Sequence, residues 1–454
     1  MAQHAYAWLR QLLAHREKAA LSFHTPGAKS GAWGRAPVEG SVDDLRALDL
    51  TELSDTDDLH APQGALSVLQ ERAAALWGAK EALPLVNGAT AGVAASVAWL
   101  ANAVPSLTVG RNAHLSVLTG LLYADAMPHW QPVSYLTAFD VPLPPRPETN
   151  AFATYPTYEG IYPLPATLSS RPTALDAAHG ALLRLLGAPL GGEAVTVMGA
   201  HKQLPSPTQT AWLLIEKKAS ALPPLVLLKA WLDLLQTTSP SALLLAGMEE
   251  AVEQLREDGL HILQRSAVEA EAFRREVATL DQVAVLLPQA LPPGYGLDPF
   301  KLLVRVDRCG LTARQAASIL ERQGIFAEYA YGVNLLFSLT PADDAGTRWR
   351  LFHALGQLPR GDHRWSSLPQ PPESELVMAP REAWLARKEI VPLQQAQGRV
   401  AATYVAPYPP GLPLLWPGEK MTSEIIEYLI RLKEVGAAFH AGVSQPFEAF
   451  AVVA

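Results

Sequence analysis

Two side chains in this sequence have the type and setting for covalent chemistry. Lys202 lies in Gly199-Ala-His-Lys-Gln-Leu-Pro-Ser-Pro-Thr-Gln209, straight after the apolar run Glu193-Ala-Val-Thr-Val-Met198. That run reads as a buried strand, so Lys202 is either a surface residue or a nucleophile held at the mouth of a pocket. Asp176 ends a second apolar run, Thr173-Ala-Leu-Asp176. A carboxylate there is costly to bury unless it is paired, and a protonated ring nitrogen is one such partner. An amine and a carboxylate at successive strand ends match what pyridoxal 5'-phosphate needs. The lysine bonds the aldehyde and the carboxylate keeps the pyridine nitrogen protonated. The amine must be neutral to condense, and partial burial lowers its pKa toward that state. Asp and Lys are common residues, so spacing alone leaves an ordinary strand-end pair open.

Other strand ends add candidates. Asn87-Gly-Ala-Thr-Ala-Gly92 joins a strand to a helix. Small residues there let backbone N–H groups approach a phosphate, and the helix N-terminus adds positive potential. A plain turn is the alternative. His114, in Arg111-Asn-Ala-His114, could stack on an aromatic ligand or be a surface or capping histidine. Thr154-Tyr-Pro-Thr-Tyr-Glu-Gly160 reads as a tight turn or as part of a pocket wall.

The elements that must position these residues follow from the pattern. Short apolar runs at 82–86, 106–109, 151–154, 173–176 and 194–198 are strand candidates. They alternate with helical segments at 90–103, 115–125, 180–187 and 241–280. Such alternation predicts an α/β fold with a mostly parallel sheet and helices on both faces, and ligands then bind at the carboxyl ends of the strands. The uncharged run 89–110 is long enough to span a bilayer, but its Ala, Gly, Ser and Thr content, with Asn102 and Pro105, reads as a buried helix and loop. A Pro-rich patch at 286–294 marks a boundary, after which strands at 301–306 and 334–339 and a helix at 312–323 suggest a small α/β domain. A second boundary near 368–373 opens a last unit with helices at 380–388 and 422–436. The expected division is 1–60, an N-terminal helix and active-site arm; 61–285, the large domain; 286–367, the small domain; and 368–454, a C-terminal α+β domain.

With 454 residues, 49% hydrophobic and 18% charged, the chain has the composition of a folded, multi-domain protein. Its net charge of -8 comes without a basic stripe, so nucleic acid is not an expected partner. Cys309 is the single cysteine, which suits a reducing cytoplasm and rules out an intrachain disulfide. The N-terminus has no apolar signal core and reads as an amphipathic helix. No membrane association and no metal are expected.

Taken in order, the motifs resemble the Orn/Lys/Arg decarboxylase family. The resemblance runs over nearly the whole chain. It includes Phe23-His-Thr-Pro-Gly27, Asp49-Leu-Thr-Glu-Leu53, Asp57-Asp-Leu-His60, Val86-Asn-Gly88, Arg111-Asn112 with His114, Asp176 with Ala178-His-Gly180, and His201-Lys202 with Leu204 and Thr208-Gln209. It continues with Gln236-Thr-Thr-Ser-Pro-Ser241, Pro380-Arg-Glu-Ala383, Pro407-Tyr-Pro-Pro-Gly411 and Pro417-Gly-Glu419. The chain looks like the short form, without an N-terminal wing domain.

The resemblance implies a pyridoxal-phosphate fold of type I with a seven-stranded-type sheet. Lys202 would bond the cofactor, Asp176 would pair with its ring nitrogen, His114 would stack on the ring, and Ala178 and His179 would line its other side. Asn87, Gly88, Ala89, Thr90 and His201 would hold the phosphate, and Thr238 or Ser239 would reach the phosphate of a neighbouring subunit in a homodimer or higher oligomer. The implied reaction is decarboxylation of a basic amino acid, arginine first and then lysine or ornithine, feeding polyamine metabolism. Its distal cation would need acids or polar groups, with His24, Thr25, Glu52, Asp57, Asp58, Glu328 and Glu419 as candidates. The sequence departs from the family at Ala28 and Ala61, where His is usual, and at Gln63, where Glu is usual. Ala113 and Leu115 replace Cys and Lys, Ala177 replaces Glu, Gly199 replaces a hydroxyl residue, and Gln203 replaces Thr. Two other readings stay open: another pyridoxal-phosphate enzyme such as an aminotransferase, with Arg305 as a clamp for the α-carboxylate, and a cofactor-binding pseudoenzyme or partner subunit.

Overall fold

The computed structural model describes residues 21–23 and 57–454, apart from 105, 146–150, 166–172, 218–223, 361–369, 409–410, 435–436 and 443–448. Seven strands form the central sheet: β1 (Glu81–Leu85), β2 (Leu107–Gly110), β3 (Pro128–Gln131), β4 (Ala151–Thr154), β5 (Ala174–Asp176), β6 (Val195–Gly199) and β7 (Ala211–Ile215). Their order is β1-β7-β6-β5-β4-β2-β3. Every pairing from β6 to β3 is parallel, while β7 runs antiparallel to both β6 and β1. β5, β6 and β7 are buried along their whole length, which is why they read as continuous apolar runs rather than alternating ones.

Helices cover the sheet. α1 (Ala65–Trp77) leads into β1, and α2 (Gly88–Ala101) follows it. Residues 91–100 of α2 are all buried, which accounts for its lack of charge. α3 (Ser116–Ala124) crosses α2 so closely that a Cβ on Gly120 would lie 2.6 Å from the Ala94 carbonyl oxygen. No helix among the described residues is long and apolar enough to cross a membrane. α4 (Ala181–Leu185) is shorter than the expected 180–187, and the chain turns at Gly187 with φ of 90°. α5 (Leu225–Leu235) was not anticipated from the sequence, nor were β3 and β7. The expected helix over 241–280 is two helices, α6 (Ala242–Gln254) and α7 (Leu260–Val277), joined by one wide π turn ending at Gly259.

Beyond residue 283 a second sheet forms from β8 (Ala284–Val285), β9 (Lys301–Arg305), β10 (Tyr329–Tyr331) and β11 (Asn334–Ser338), in the order β8-β9-β11-β10. α8 (Ala313–Glu321) carries a capping box from Thr312 and Gln315, and α9 (Ala345–Gly356) is capped by Asp344. Leu21–Phe23 adds a parallel strand to Ile325–Ala327, with Phe23 set edge-on to Phe337 at 5.6 Å. The expected N-terminal helix lies outside the described residues.

The C-terminal part contributes α10 (Pro380–Leu385) and α11 (Ser423–Glu434), with strand pairs Lys388–Val391 to Phe450–Val453 and Val405–Tyr408 to Ala438–Ala441. Glu419, fully buried, takes a two-pronged ion pair from Arg111 at the end of β2 and accepts the Trp416 N–H at 2.8 Å. This pair ties the C-terminal part to the carboxyl edge of the central sheet.

Candidate active site

The carboxyl ends of β1, β2, β4, β5 and β6 surround a cavity of about 380 Å³. Lys202 enters it from the turn after β6. Its Nζ lies 2.8 Å from His179 Nε2 and 5.9 Å from the centre of the Tyr158 ring. The side chain is partly exposed where it opens into the cavity. Burial lowers its pKa; Asp176 and Glu328 work against that shift, and Lys301 adds to it.

Asp176 ends β5 and is almost fully buried. Its Oδ1 accepts the Ala178 N–H at 3.0 Å, and among the described residues it makes no ion pair. Burial raises its pKa, with Lys202 and the Ala178 N–H acting against the rise. His179 follows three residues later. Its ring lies 4.1 Å from that of Tyr158, and its Nδ1 is buried without a hydrogen-bond partner. Burial, reinforced by nearby cations, holds it neutral, well below the usual histidine range. His114 is also neutral: burial, with Lys202 adding to it, brings its pKa to about 4. The Ser116 N–H donates to His114 Nδ1 at 3.1 Å, which places the ring proton on Nε2.

One end of the cavity is built for an anion. Asn87, Gly88, Ala89 and Thr90 line it at the N-terminus of α2, where no side chain caps the helix. Gly88 takes φ of 75°, a left-handed conformation open to glycine. His201 lines the same cavity with Nδ1 directed at the Thr210 carbonyl at 3.0 Å, and Thr208 and Gln209 complete that wall.

Several expected residues are elsewhere. His24, Thr25, Glu52 and Ala28 lie outside the described residues. Asp57 is not at the cavity; its carboxylate accepts the backbone N–H groups of Asp58, Gln63, Gly64 and Leu66 ahead of α1. Asp58 accepts the His60 N–H at 2.8 Å and also lies off the cavity. Glu419 is held by Arg111, as described. Glu328 does reach the neighbourhood, accepting the Tyr158 hydroxyl at 2.5 Å. Thr238 and Ser239 are exposed and do not line this chain's cavity. Arg305, the expected aminotransferase clamp, instead donates to Asp307 at 2.9 Å and to the Ala138 carbonyl at 2.7 Å.

Two departures from the family pattern have structural explanations. Gln203 is fully buried, accepts the Leu182 N–H at 3.1 Å and donates to Asp298 at 3.1 Å, so it braces the start of α4. Gly199 lies where a Cβ would come within 2.4 Å of the Ala178 carbonyl oxygen. Sequence reasoning missed Ser116, Lys301 and Tyr408. Lys301 heads an apolar strand, as Lys202 follows one, yet is buried, with Nζ 3.1 Å from Ser338 Oγ and 5.8 Å from the Tyr158 ring centre.

The seven-stranded sheet and this site define a pyridoxal-phosphate protein of fold type I. A family model described as Orn/Lys/Arg decarboxylase, major domain, matches residues 8–141, and one described as Orn/Lys/Arg decarboxylase, C-terminal domain, matches residues 367–442. The arginine decarboxylase of Bacillus subtilis (strain 168) is 28% identical over 477 residues, covering 96% of this chain and 95% of its own length. The arginine decarboxylase of Bacillus anthracis is 27% identical, covering 94% of this chain and 92% of its own length. The solved structure of the E. coli constitutive lysine decarboxylase superposes with a TM-score of 0.75 at 22% identity, over 99% of this chain and 82% of that one. The chain thus resembles the Orn/Lys/Arg decarboxylase family at both ends and over nearly its full length, and the cofactor of that family is pyridoxal phosphate. The cavity fits that group. It offers a buried carboxylate without a cation, an amine of lowered pKa, neutral imidazoles and an uncapped helix N-terminus within one chamber.

Proposed function

We propose that this chain decarboxylates a basic amino acid, arginine first and lysine or ornithine after it, and that the amine produced feeds polyamine metabolism. The observation that carries the reading is the Lys202 amine opening into the cavity beside His179, with Asp176 at the neighbouring strand end. Bound pyridoxal phosphate supplies an electron sink for the pair left when carbon dioxide departs. Asp176 would pair with the ring nitrogen and keep it protonated, and His114 and His179, which line the same cavity, would hold the ring. Asn87, Gly88, Ala89, Thr90 and His201 hold the phosphate. Lys202 Nζ, its pKa lowered by burial, would be the amine that holds the cofactor aldehyde. Lys202 or His179, 2.8 Å apart, would then return a proton to the substrate Cα. Relatives named arginine decarboxylase, aligned over nearly their full lengths, support the choice of arginine.

The same proposal has a large cofactor domain at 61–285, a small domain at 286–367, a C-terminal domain at 368–454, and a cytoplasmic homodimer in which Thr238 and Ser239 serve the partner's phosphate. The test is incubation of the purified chain and pyridoxal phosphate with arginine, lysine and ornithine, reading products by mass, beside Lys202→Ala. Agmatine from arginine, absent in the variant, is expected. A keto acid would select the aminotransferase reading. No product from a chain with an intact visible cofactor band would select the pseudoenzyme.

A further inference from the structure

A second, smaller cavity of about 60 Å³ adjoins the cofactor chamber; Pro142 and Leu412 belong to the walls of both. Tyr135, Tyr329, Tyr331 and Tyr428 line it, together with Glu159 and Asn334. It is too small for a whole amino acid, since ligand sites usually enclose about 300–1,000 Å³.

Its polar groups are unevenly satisfied. Glu159 is 3% exposed. Tyr329 donates its hydroxyl to Oε1 at 2.9 Å, and the Thr157 hydroxyl and the residue's own N–H also act on the carboxyl, while Oε2 is buried without a hydrogen bond. Asn334 is 2% exposed and donates Nδ2 to the Phe139 carbonyl, which leaves Oδ1 as a second buried acceptor without a partner. Two acceptors without partners, on residues that line one small cavity, suit a ligand with several donors. The carboxylate calls for positive charge, and the tyrosine faces favour it further. Lys301 donates to Ser338, and it acts on Glu159 through its charge rather than through a hydrogen bond. Asp140, which also lines the chamber, is paired with Arg305 at 3.4 Å.

We propose that this tyrosine-lined chamber is the subsite for the distal guanidinium of the substrate, with Glu159 Oε2 and Asn334 Oδ1 as its acceptors. The inference rests on the reading that the chain acts on a basic amino acid. The planar guanidinium carries five N–H donors in a fixed fork and can serve both acceptors at once; an ammonium has three donors at a single point. Pro142 and Leu412, common to both walls, set the chamber next to the cavity that Lys202 enters, within the direction a substrate tail would take. The sequence held one signal, Glu159 inside Thr154-Tyr-Pro-Thr-Tyr-Glu-Gly160.

The test uses the cofactor-loaded chain and Glu159→Gln. Agmatine binding is measured by calorimetry and arginine turnover by product mass. The variant should bind agmatine about tenfold or more weakly and show a raised KM for arginine with a smaller change in kcat, its visible cofactor band unchanged. The unsubstituted chain should also prefer arginine to citrulline, its neutral isostere, by about 100-fold or more in kcat/KM, or in binding if it turns over neither, a comparison that needs no variant to fold. Agmatine binding and turnover within twofold of the parent would overturn the subsite and leave the decarboxylase reading standing. Glu159-dependent binding of agmatine without any decarboxylation would keep the subsite and overturn that reading. Equal use or equal binding of citrulline and arginine, or no binding of agmatine at all, overturns the subsite.

Discussion

At the scale of single residues, the site depends on charges that burial opposes. Asp176 is a carboxylate with one N–H donor and no ion pair among the described residues. A cofactor nitrogen that carries a proton would relieve that cost. Asp176→Asn keeps shape and removes charge, so kcat should fall by about 100-fold or more, in line with other losses of preorganised electrostatics. Spectra of the loaded variant beside its kcat would check this, because retained cofactor separates lost chemistry from lost binding. Gly199 makes a different prediction. Restoring the family's hydroxyl by Gly199→Ser would push a Cβ against the Ala178 carbonyl oxygen at 2.4 Å. The variant should lose about 1–3 kcal/mol of stability from overpacking, read by denaturant unfolding, and gain no cofactor affinity. The departure at Gly199 is therefore matched to the backbone that follows β5.

At the scale of elements, strand ends are what the sequence shows most clearly. Asp176 and Lys202 each adjoin a short apolar run, and His114 and Thr90 lie within a few residues of one, so their gathering at one sheet edge was legible. Glu159, Lys301 and Asn334 were not. Their burial comes from contacts with residues more than a hundred positions away, such as Tyr329 against Glu159. β7 was missed because a wholly buried antiparallel strand shows neither alternation nor a turn signal of its own. Asp57 shows the same limit from the other side, for an acid in a family motif proved to cap a helix. Burial pushes its pKa up, but the N–H groups of Gln63, Gly64, Leu66 and Asp58 outweigh that and hold it below 3.8. A folded pKa below the unfolded one means that the charge stabilises fully above the unfolded value. That contribution is lost as pH falls through the folded value. Asp57→Ala should therefore cost about 1 kcal/mol at neutral pH, and the gap to the parent should close on acidification. Urea titrations at several pH values would follow it, and a gap independent of pH would sink the capping role.

At the scale of the whole molecule, α5 presents apolar side chains that a lone chain would leave in water. On α5, Val226, Leu227 and Leu234 are 69%, 50% and 76% exposed, and Tyr123 of α3, at 56%, lies 6.3 Å from the Trp231 ring. Contiguous apolar surface of this kind favours a protein partner. Thr238 and Ser239 follow directly after α5 and are exposed away from this chain's own cavity, the arrangement expected if they serve the phosphate of a second copy. A homodimer thus accounts for both the covered face and the two hydroxyls with one contact. Sedimentation at micromolar concentration should then give twice the 48.9 kDa chain mass. Pairing Val226→Asp with Leu234→Asp should shift the particle to the single mass, because two buried charges without partners cost several kcal/mol of association. If Thr238 and Ser239 reach across, the dissociated variant should also hold pyridoxal phosphate more weakly. A parent chain that sediments as a monomer would defeat the dimer and leave the cavity of one chain to do all the binding.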